Sequence, residues 1–119
     1  MFFSRIPEIS PKELRDSFTN VPNLLVLDVR EKQEVALVKI THPKVVFLPL
    51  SELAQKQTAA LPSAISNDKD LPLVVICHHG SRSGSVTNWL IQQGWKNVKS
   101  LAGGVNAYAA EVDPSIGFY

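Results

Sequence analysis

The chain has 119 residues, a length that allows one domain with a substantial core and is too short for two. Its 12 Lys and Arg residues nearly balance 11 Asp and Glu residues, so the composition favours neither a nucleic acid nor an anionic membrane as partner. No apolar run approaches the roughly 20 residues of a membrane-spanning helix, and the first residues lack the apolar stretch of a signal peptide. We therefore expect a single domain over residues 1–119.

The first predicted elements are a short strand and a helix. The strand is Glu8-Ile9, and the helix covers about Pro11 to Phe18. Ser10 is a suitable N-cap, and Glu13, three residues later, completes a capping box. Pro11 suits the first helical position, where its missing N–H costs no hydrogen bond.

Two further strands are predicted in the middle of the chain. Leu24 to Leu27 is an apolar run without alternation, as is typical of parallel strands that are covered on both faces. Val45 to Leu48 is the next strand. A helix from about Ser51 to Ala60 follows it, and a polar connection runs from Ser63 to Asp70.

The last part of the chain alternates strands and helices again. Leu73 to Ile76 and Val98 to Leu101 are predicted strands. One helix runs from about Ser83 to Gln93 and ends at Gly94, which suits a left-handed C-cap. A final helix covers about Val105 to Glu111.

This alternation predicts an α/β fold with a mostly parallel sheet and helices on both faces. In open sheets of this kind, ligands bind beyond the carboxyl ends of the strands. Cys77 follows one strand at that end, and Asp28-Val29-Arg30 follows another. We therefore expect Cys77, Asp28 and Arg30 to lie on the same rim of the sheet.

The only cysteine lies between a predicted strand and a predicted helix, in a polar loop that contains glycine and ends near Arg82. Such a loop turns backbone N–H groups toward the sulfur, and the helix N-terminus adds partial positive charge. These are surroundings in which a thiol ionises and becomes nucleophilic. A buried structural cysteine is the alternative, but the polar loop favours a reactive Cys77.

A single cysteine excludes an internal disulfide and predicts a reducing, cytoplasmic compartment. It also means that a second molecule must complete whatever reaction Cys77 begins. Cys77, His78 and His79 are adjacent, which is poor spacing for a metal site, and His42 is the only other histidine. The sequence shows no phosphate-binding loop or dinucleotide fingerprint, so we expect neither a metal nor a cofactor.

The chain resembles a single-domain rhodanese, a sulfurtransferase family, from about Ile9 to Tyr119. The resemblance depends on the order and spacing of five segments, which are Leu27-Asp28-Val29-Arg30-Glu31, Leu48-Pro49-Leu50, Cys77-His78-His79-Gly80-Ser81-Arg82-Ser83, Gly94-Trp95-Lys96-Asn97-Val98 and Leu101-Ala102-Gly103-Gly104. It implies a five-stranded parallel sheet between helices. It also implies an active site at the Cys77 loop and a persulfide on Cys77 as the intermediate.

Sulfur transfer assigns expected roles to the residues of this loop. Backbone N–H groups of the loop should surround the outer sulfur of the persulfide, as in other anion-binding nests. Arg82 should attract a small anionic donor such as thiosulfate, and a thiol, cyanide or a protein should accept the sulfur. Asp28 and Arg30 are expected to form a supporting ion pair. The expected substrate-binding and persulfide-binding residues are His78, His79, Gly80, Ser81, Arg82 and Ser83.

One segment departs from the family pattern, and two other functions stay open. Leu37 to Lys44 contains no glycine, whereas the family commonly shows a Gly-His-Ile-Pro-Gly-Ala-like stretch there. A cysteine phosphatase of the rhodanese fold is one alternative, although such enzymes place five residues between Cys and Arg and this chain places four. A rhodanese-like module for protein binding or sensing is the other, although such modules often lack the cysteine that this chain keeps.

Overall fold

The structure, a computed structural model, describes residues 6–119. The first five residues of the domain predicted over 1–119 lie outside the described residues. The strands are β1 (Glu8–Ile9), β2 (Leu25–Asp28), β3 (Val45–Phe47), β4 (Leu73–Ile76) and β5 (Val98–Leu101). The helices are α1 (Pro11–Asn20), α2 (Lys32–Leu37), α3 (Leu50–Lys56), α4 (Ser63–Ser66), α5 (Ser81–Gln92) and α6 (Gly104–Glu111), with 3₁₀ turns at Gln57–Ala60 and Pro114–Ile116.

The five strands form one parallel sheet in the order β1-β5-β4-β2-β3. This confirms the predicted fold class. The register pairs Asp28 at the end of β2 with Ile76 at the end of β4. The Val29 N–H continues this pairing with a 3.0 Å hydrogen bond to the Ile76 carbonyl. The residues that follow Asp28 and Ile76 therefore meet at one edge of the sheet, which we call the rim.

Helices cover the sheet on both faces, and each face has its own hydrophobic cluster. One cluster packs α3, α4 and α5 on the sheet through Leu53, Ile65, Val86 and Leu90. The other packs α1 and α6 on the opposite face through Leu14, Val105 and Tyr108. Because β2 and β4 are central, their side chains are buried on both faces, as the unalternating apolar runs predict.

The predicted helix ends are confirmed at two places. The Glu13 N–H bonds Ser10 Oγ at 3.1 Å and the Ser10 N–H bonds Glu13 Oε1 at 3.0 Å, which is the capping box at the start of α1. Gly94 follows α5 with a φ of +108°. The Trp95 N–H then bonds the Leu90 carbonyl at 3.0 Å, as in a Schellman motif.

The structure corrects the predicted helices at three places. Residues 63–66, expected within a polar connection, form α4, and Ile65 is fully buried in the core. The helix expected over 51–60 is α3 followed by a 3₁₀ turn, because Gln57 takes a φ of +54° and ends the α-helix. Helix α5 begins at Ser81 rather than at Ser83, so the loop after Cys77 is shorter than expected.

Helix α2 and the segment after it were not predicted as structured elements. The Glu31 N–H donates to Glu34 Oε2 at 2.9 Å at the start of α2, and the helix ends after six residues. Its short length leaves too little apolar periodicity to recognise from sequence. Beyond it, Val38 and Ile40 are buried, and His42 stacks on Phe18 with the ring centroids 4.2 Å apart. Among residues 6–119, no helix is long and apolar enough to cross a membrane.

Candidate active site

Cys77 is the first residue after β4, and its side chain is 1% exposed. The sulfur accepts hydrogen bonds from the N–H groups of Gly80 at 3.1 Å and Ser83 at 3.3 Å. The loop turns back on the sulfur at Gly80, whose φ of +109° is unfavourable for any residue with a Cβ. Residues 77–83, which we call the active-site loop, therefore surround the sulfur with backbone donors.

The N-terminus of α6 holds the active-site loop from the other side. The Val105 N–H bonds the Cys77 carbonyl at 2.9 Å, and the Asn106 N–H bonds the His78 carbonyl at 3.3 Å. This approach requires glycine at position 104, because a Cβ there would overlap both carbonyl groups. Gly104 also has a φ of +65°, in the left-handed region. Both constraints act on the same residue.

Two buried hydroxyl groups lie behind the sulfur. Ser83 Oγ is 3.3 Å from Cys77 Sγ and 2.8 Å from Ser100 Oγ. Both serines are at most 1% exposed. Ser83 was among the predicted site residues, whereas Ser100 was not. Its only signal in the sequence is a polar residue within a buried strand, and the register between β4 and β5 gives that residue its position.

The Arg82 side chain is paired with Glu34. Two nearly parallel hydrogen bonds of 2.7 and 2.8 Å join the guanidinium to the two carboxylate oxygens. The hydrogen bonds from Arg82 lower the pKa of Glu34 to about 2, and the same contact raises the pKa of Arg82. The sequence predicted Arg82 as a site residue but not its partner, because Glu34 lies on the unpredicted helix α2.

Asp28 and Arg30 form the expected ion pair at the rim. Arg30 Nη2 is 2.8 Å from Asp28 Oδ2, and both side chains are fully buried. Arg30 Nε adds a 3.0 Å bond to Asp28 Oδ1, and the Arg30 N–H donates to the same oxygen at 3.1 Å. A buried ion pair needs such additional hydrogen bonds to offset the loss of water. The pair therefore fixes the end of β2 beside the active-site loop.

The histidines and Ser81 lie on the outer side of the loop. His78 is half-buried, and its Nε2 is 2.7 Å from the main-chain oxygen of Tyr119. His79 is exposed and stacks on His78 with ring centroids 3.7 Å apart. Ser81 is exposed in the first turn of α5. Their contact with a substrate stays a prediction.

Tyr119 is a site residue that sequence reasoning missed. Its hydroxyl accepts a 3.2 Å hydrogen bond from Arg30 Nη1 and donates one of 3.3 Å to Glu34 Oε1. Burial raises the pKa of this hydroxyl. An aromatic residue at position 119 carries no motif in the sequence, so only the fold reveals these contacts.

The surroundings of the Cys77 sulfur suit a nucleophile. Among residues 6–119, no group of three His, Cys, Asp or Glu side chains is placed to hold a metal ion. The N–H groups of His79, Ser81 and Arg82 have no hydrogen-bond acceptor within the described part of the chain. The Cys77 sulfur already accepts hydrogen bonds from two N–H groups of this loop. The remaining N–H groups of the loop can bind a further anionic atom that is attached to the sulfur.

Comparison with known proteins identifies relatives over most of the chain. The family model described as Rhodanese-like domain matches residues 10–111. Thiosulfate sulfurtransferase GlpE from Pseudomonas fluorescens is 34% identical over 102 residues, which cover 86% of this chain and 81% of that protein. A solved structure of a rhodanese-related protein from Thermoplasma volcanium has a TM-score of 0.71 and 28% identity, and the match covers 89% of this chain and 93% of that chain.

Some relatives are much longer than this chain. Rhodanese-like/PpiC domain-containing protein 12, chloroplastic, from Arabidopsis thaliana is 37% identical over 94 residues. These residues cover 79% of this chain but only 30% of that protein. The chain therefore spans less than a third of that relative.

Replacing Gly104 should destabilise the protein more than replacing a glycine whose added Cβ would meet only a flexible side chain. We expect Gly104→Ala to lower the free energy of unfolding by roughly 2–5 kcal/mol, since strain at positive φ adds to a backbone overlap. Gly94→Ala is the matched control, because Gly94 has a positive φ but faces only the flexible Lys69 side chain. Gly94→Ala should lower the free energy of unfolding by about 1–2 kcal/mol. Urea unfolding measures both, and equal losses would contradict the proposed constraint.

The Glu34–Arg82 pair should make stability depend on pH in acid. Because the pKa of Glu34 falls from 4.5 to about 2 in the folded protein, its contribution is complete above about pH 4.5 and decreases toward pH 2. The difference in unfolding free energy between wild type and Glu34→Gln should therefore shrink between pH 6 and pH 3. In an Arg82→Ala background the same substitution should show a weaker pH dependence. Urea unfolding at the two pH values tests this, and a constant difference contradicts it.

Proposed function

The chain belongs to the rhodanese-like domain family, and from this membership and its site we propose that it is a sulfurtransferase. Cys77 takes a sulfane sulfur, for example from thiosulfate, as a persulfide. It then passes the sulfur to a thiol, to cyanide or to a protein acceptor. The relative GlpE bears the name thiosulfate sulfurtransferase, which supports thiosulfate as the first donor to test.

One observation carries the proposal: Cys77 Sγ accepts N–H groups of its own loop at 3.1 and 3.3 Å. These donors stabilise negative charge on the sulfur without reorganising during the reaction. The unoccupied N–H groups of His79, Ser81 and Arg82 lie in the same loop and are available to donate hydrogen bonds to the outer sulfur of a persulfide. Burying an anionic sulfur without hydrogen bonds in a site that excludes water would cost free energy, so hydrogen-bond donors are needed there.

The first half of the reaction loads the sulfur. The Cys77 thiolate attacks the outer sulfur of thiosulfate, and a new S–S bond forms. The bond between the two sulfur atoms of thiosulfate breaks, and its electron pair leaves with sulfite. The protein now carries one additional sulfur atom, which is covalent catalysis with a stable intermediate.

The second half returns the enzyme to its starting state. A nucleophilic acceptor, such as cyanide or a thiolate, attacks the outer sulfur of the persulfide. The S–S bond to Cys77 breaks, and its electron pair returns to Sγ, which the loop N–H groups again stabilise. With cyanide the product is thiocyanate. Two separate half-reactions give ping-pong kinetics.

Arg82 contributes positive charge within the active-site loop. Glu34 fixes the guanidinium in one orientation and neutralises part of its charge. We propose that an anionic donor is held by the Arg82 side chain together with backbone N–H groups. A cytoplasmic location stays a prediction from the single cysteine.

Cys77→Ser should abolish sulfur transfer from thiosulfate to cyanide, because a serine hydroxyl is a far weaker nucleophile near neutral pH. After incubation with thiosulfate, the wild type should gain the mass of one sulfur atom and Cys77→Ser should gain none. Ser85→Ala, which removes an exposed hydroxyl from α5, the helix that the active-site loop enters, is the matched control and should behave like wild type. An active Cys77→Ser variant would falsify the mechanism.

Arg82→Ala should lower kcat/KM for thiosulfate by roughly ten- to a hundredfold, the effect of losing a charge-assisted contact. The substitution also leaves the Glu34 carboxylate unpaired beside an anionic donor. Arg82→Lys keeps the charge but loses the planar fork, so it should recover only part of the rate. Arg15→Ala, on an exposed ion pair of α1, is the control for a general loss of positive charge. Steady-state kinetics at equal protein concentration compares the variants. If Arg82→Ala has the same kcat/KM as wild type, Arg82 is not part of the site.

Assays of the same purified wild-type protein distinguish a sulfurtransferase from the alternative, a cysteine phosphatase. A wild type that hydrolyses an aryl phosphate faster than it transfers sulfur would replace the sulfurtransferase assignment. A folded wild type with neither activity would instead favour a binding module.

A further inference from the structure

Tyr119 lies directly against the active-site loop, although 41 residues separate it from His78. Its ring stacks on the His78 imidazole with centroids 3.7 Å apart and planes 8° from parallel. His79 stacks on the same imidazole at 3.7 Å. Two rings at this distance must occupy opposite faces, so His78 is held between them.

The main-chain oxygen of Tyr119 fixes the His78 ring in its own plane. It lies 2.7 Å from His78 Nε2 and also accepts a 3.4 Å hydrogen bond from Asn106 Nδ2. Because this oxygen can only accept, the hydrogen bond requires the imidazole tautomer that has its proton on Nε2. Stacking and hydrogen bonding together leave the imidazole one orientation.

The Tyr119 hydroxyl connects the two ion pairs of the site. Arg30, buried with Asp28, donates to the hydroxyl at 3.2 Å, and the hydroxyl donates to Glu34 Oε1 at 3.3 Å. The same carboxylate oxygen accepts Arg82 Nη2 at 2.8 Å. A continuous path of hydrogen bonds therefore runs from the core to Arg82 through one phenol.

Glu34 depends on contacts of this kind for its position. It lies on α2, a helix of six residues without a buried residue. A helix of this length has little stability of its own, so the position of the carboxylate depends on the Glu31 N–H, which donates to Glu34 Oε2 at 2.9 Å, and on contacts from other elements. The Tyr119 hydroxyl supplies one such contact to Glu34, and the Arg82 guanidinium in the active-site loop supplies another.

We propose that Tyr119 is a positioning residue for sulfur transfer, which fixes His78 directly and Arg82 through Glu34. The inference rests on the proposed function, because its effect is on the reaction at Cys77. Tyr119 holds the groups around the anionic donor and does not itself react. Small displacements of such groups lower rates strongly, since the donor must meet Sγ in one orientation.

The test compares loading of Cys77 by thiosulfate with its alkylation by neutral iodoacetamide. Tyr119→Phe keeps the ring and the main-chain oxygen and removes only the hydroxyl. It should lower the second-order rate of loading, followed by mass spectrometry, by roughly three- to tenfold. Alkylation should keep the wild-type rate, because iodoacetamide carries no charge for Arg82 to hold. Phe118→Ala is the matched control, since Phe118 is 58% exposed and should leave both rates unchanged.

A second comparison shows whether Tyr119 acts through Glu34. In a Glu34→Gln background, Tyr119→Phe should cause little further loss of loading, because residues in one hydrogen-bond path are not additive. Circular dichroism and thermal unfolding establish that each variant is folded at the assay temperature.

Three outcomes overturn the inference. One is loading of Tyr119→Phe at the wild-type rate, and another is an equal loss of loading and alkylation, which indicates a general structural effect. The third is full additivity with Glu34→Gln. A wild type that forms no persulfide at all overturns the proposed function as well, so the two failures are distinguishable.

Discussion

The contact between the N-terminus of α6 and the active-site loop is the constraint on which the site depends. The carbonyl groups of Cys77 and His78 point to α6, where Val105 and Asn106 donate to them. With these carbonyls held on one side, the loop N–H groups face the sulfur on the other. Gly104 permits the approach, because any side chain there would separate helix and loop.

A second constraint concerns charge. Arg30 at the rim and Arg82 in the active-site loop are each paired with a carboxylate: Arg30 with Asp28 and Arg82 with Glu34. For Arg30 and Asp28, which are fully buried, pairing avoids an uncompensated buried charge that would cost several kcal/mol per ion. The hydrogen-bond donors that remain available to an anionic sulfur are mainly backbone N–H groups. Their partial charges require no counter-ion, so they can stabilise negative charge on the sulfur.

Much of the fold was predictable, because it depends on local patterns. Apolar runs identified the strands β2 and β4, and Ser10 with Glu13 identified the start of α1. The parallel arrangement followed from the alternation of strands and helices. Short elements were missed because a helix such as α2 or α4 spans fewer than two periods of the hydrophobic pattern.

The residues of the site likewise form two groups, those that a local sequence pattern indicates and those that it does not. Cys77, Gly80, Arg82 and Ser83 are neighbours in sequence, and their residue types already indicate a nucleophile in a tight loop. Glu34, Ser100, Gly104 and Tyr119 reach the same loop from four other segments of the chain. No local pattern relates these segments to Cys77, so prediction from sequence could not assign them.

The sequence by itself predicted the candidate nucleophile Cys77, the tight loop that follows it and the rim on which it lies, because each follows from residues close together in the chain. Only the tertiary structure decided which partner each charged group takes. Arg82 faces Glu34, and Tyr119 joins that pair to Arg30. Such pairings depend on how separate elements pack, and the energy of an ion pair depends on distances and burial that packing alone sets.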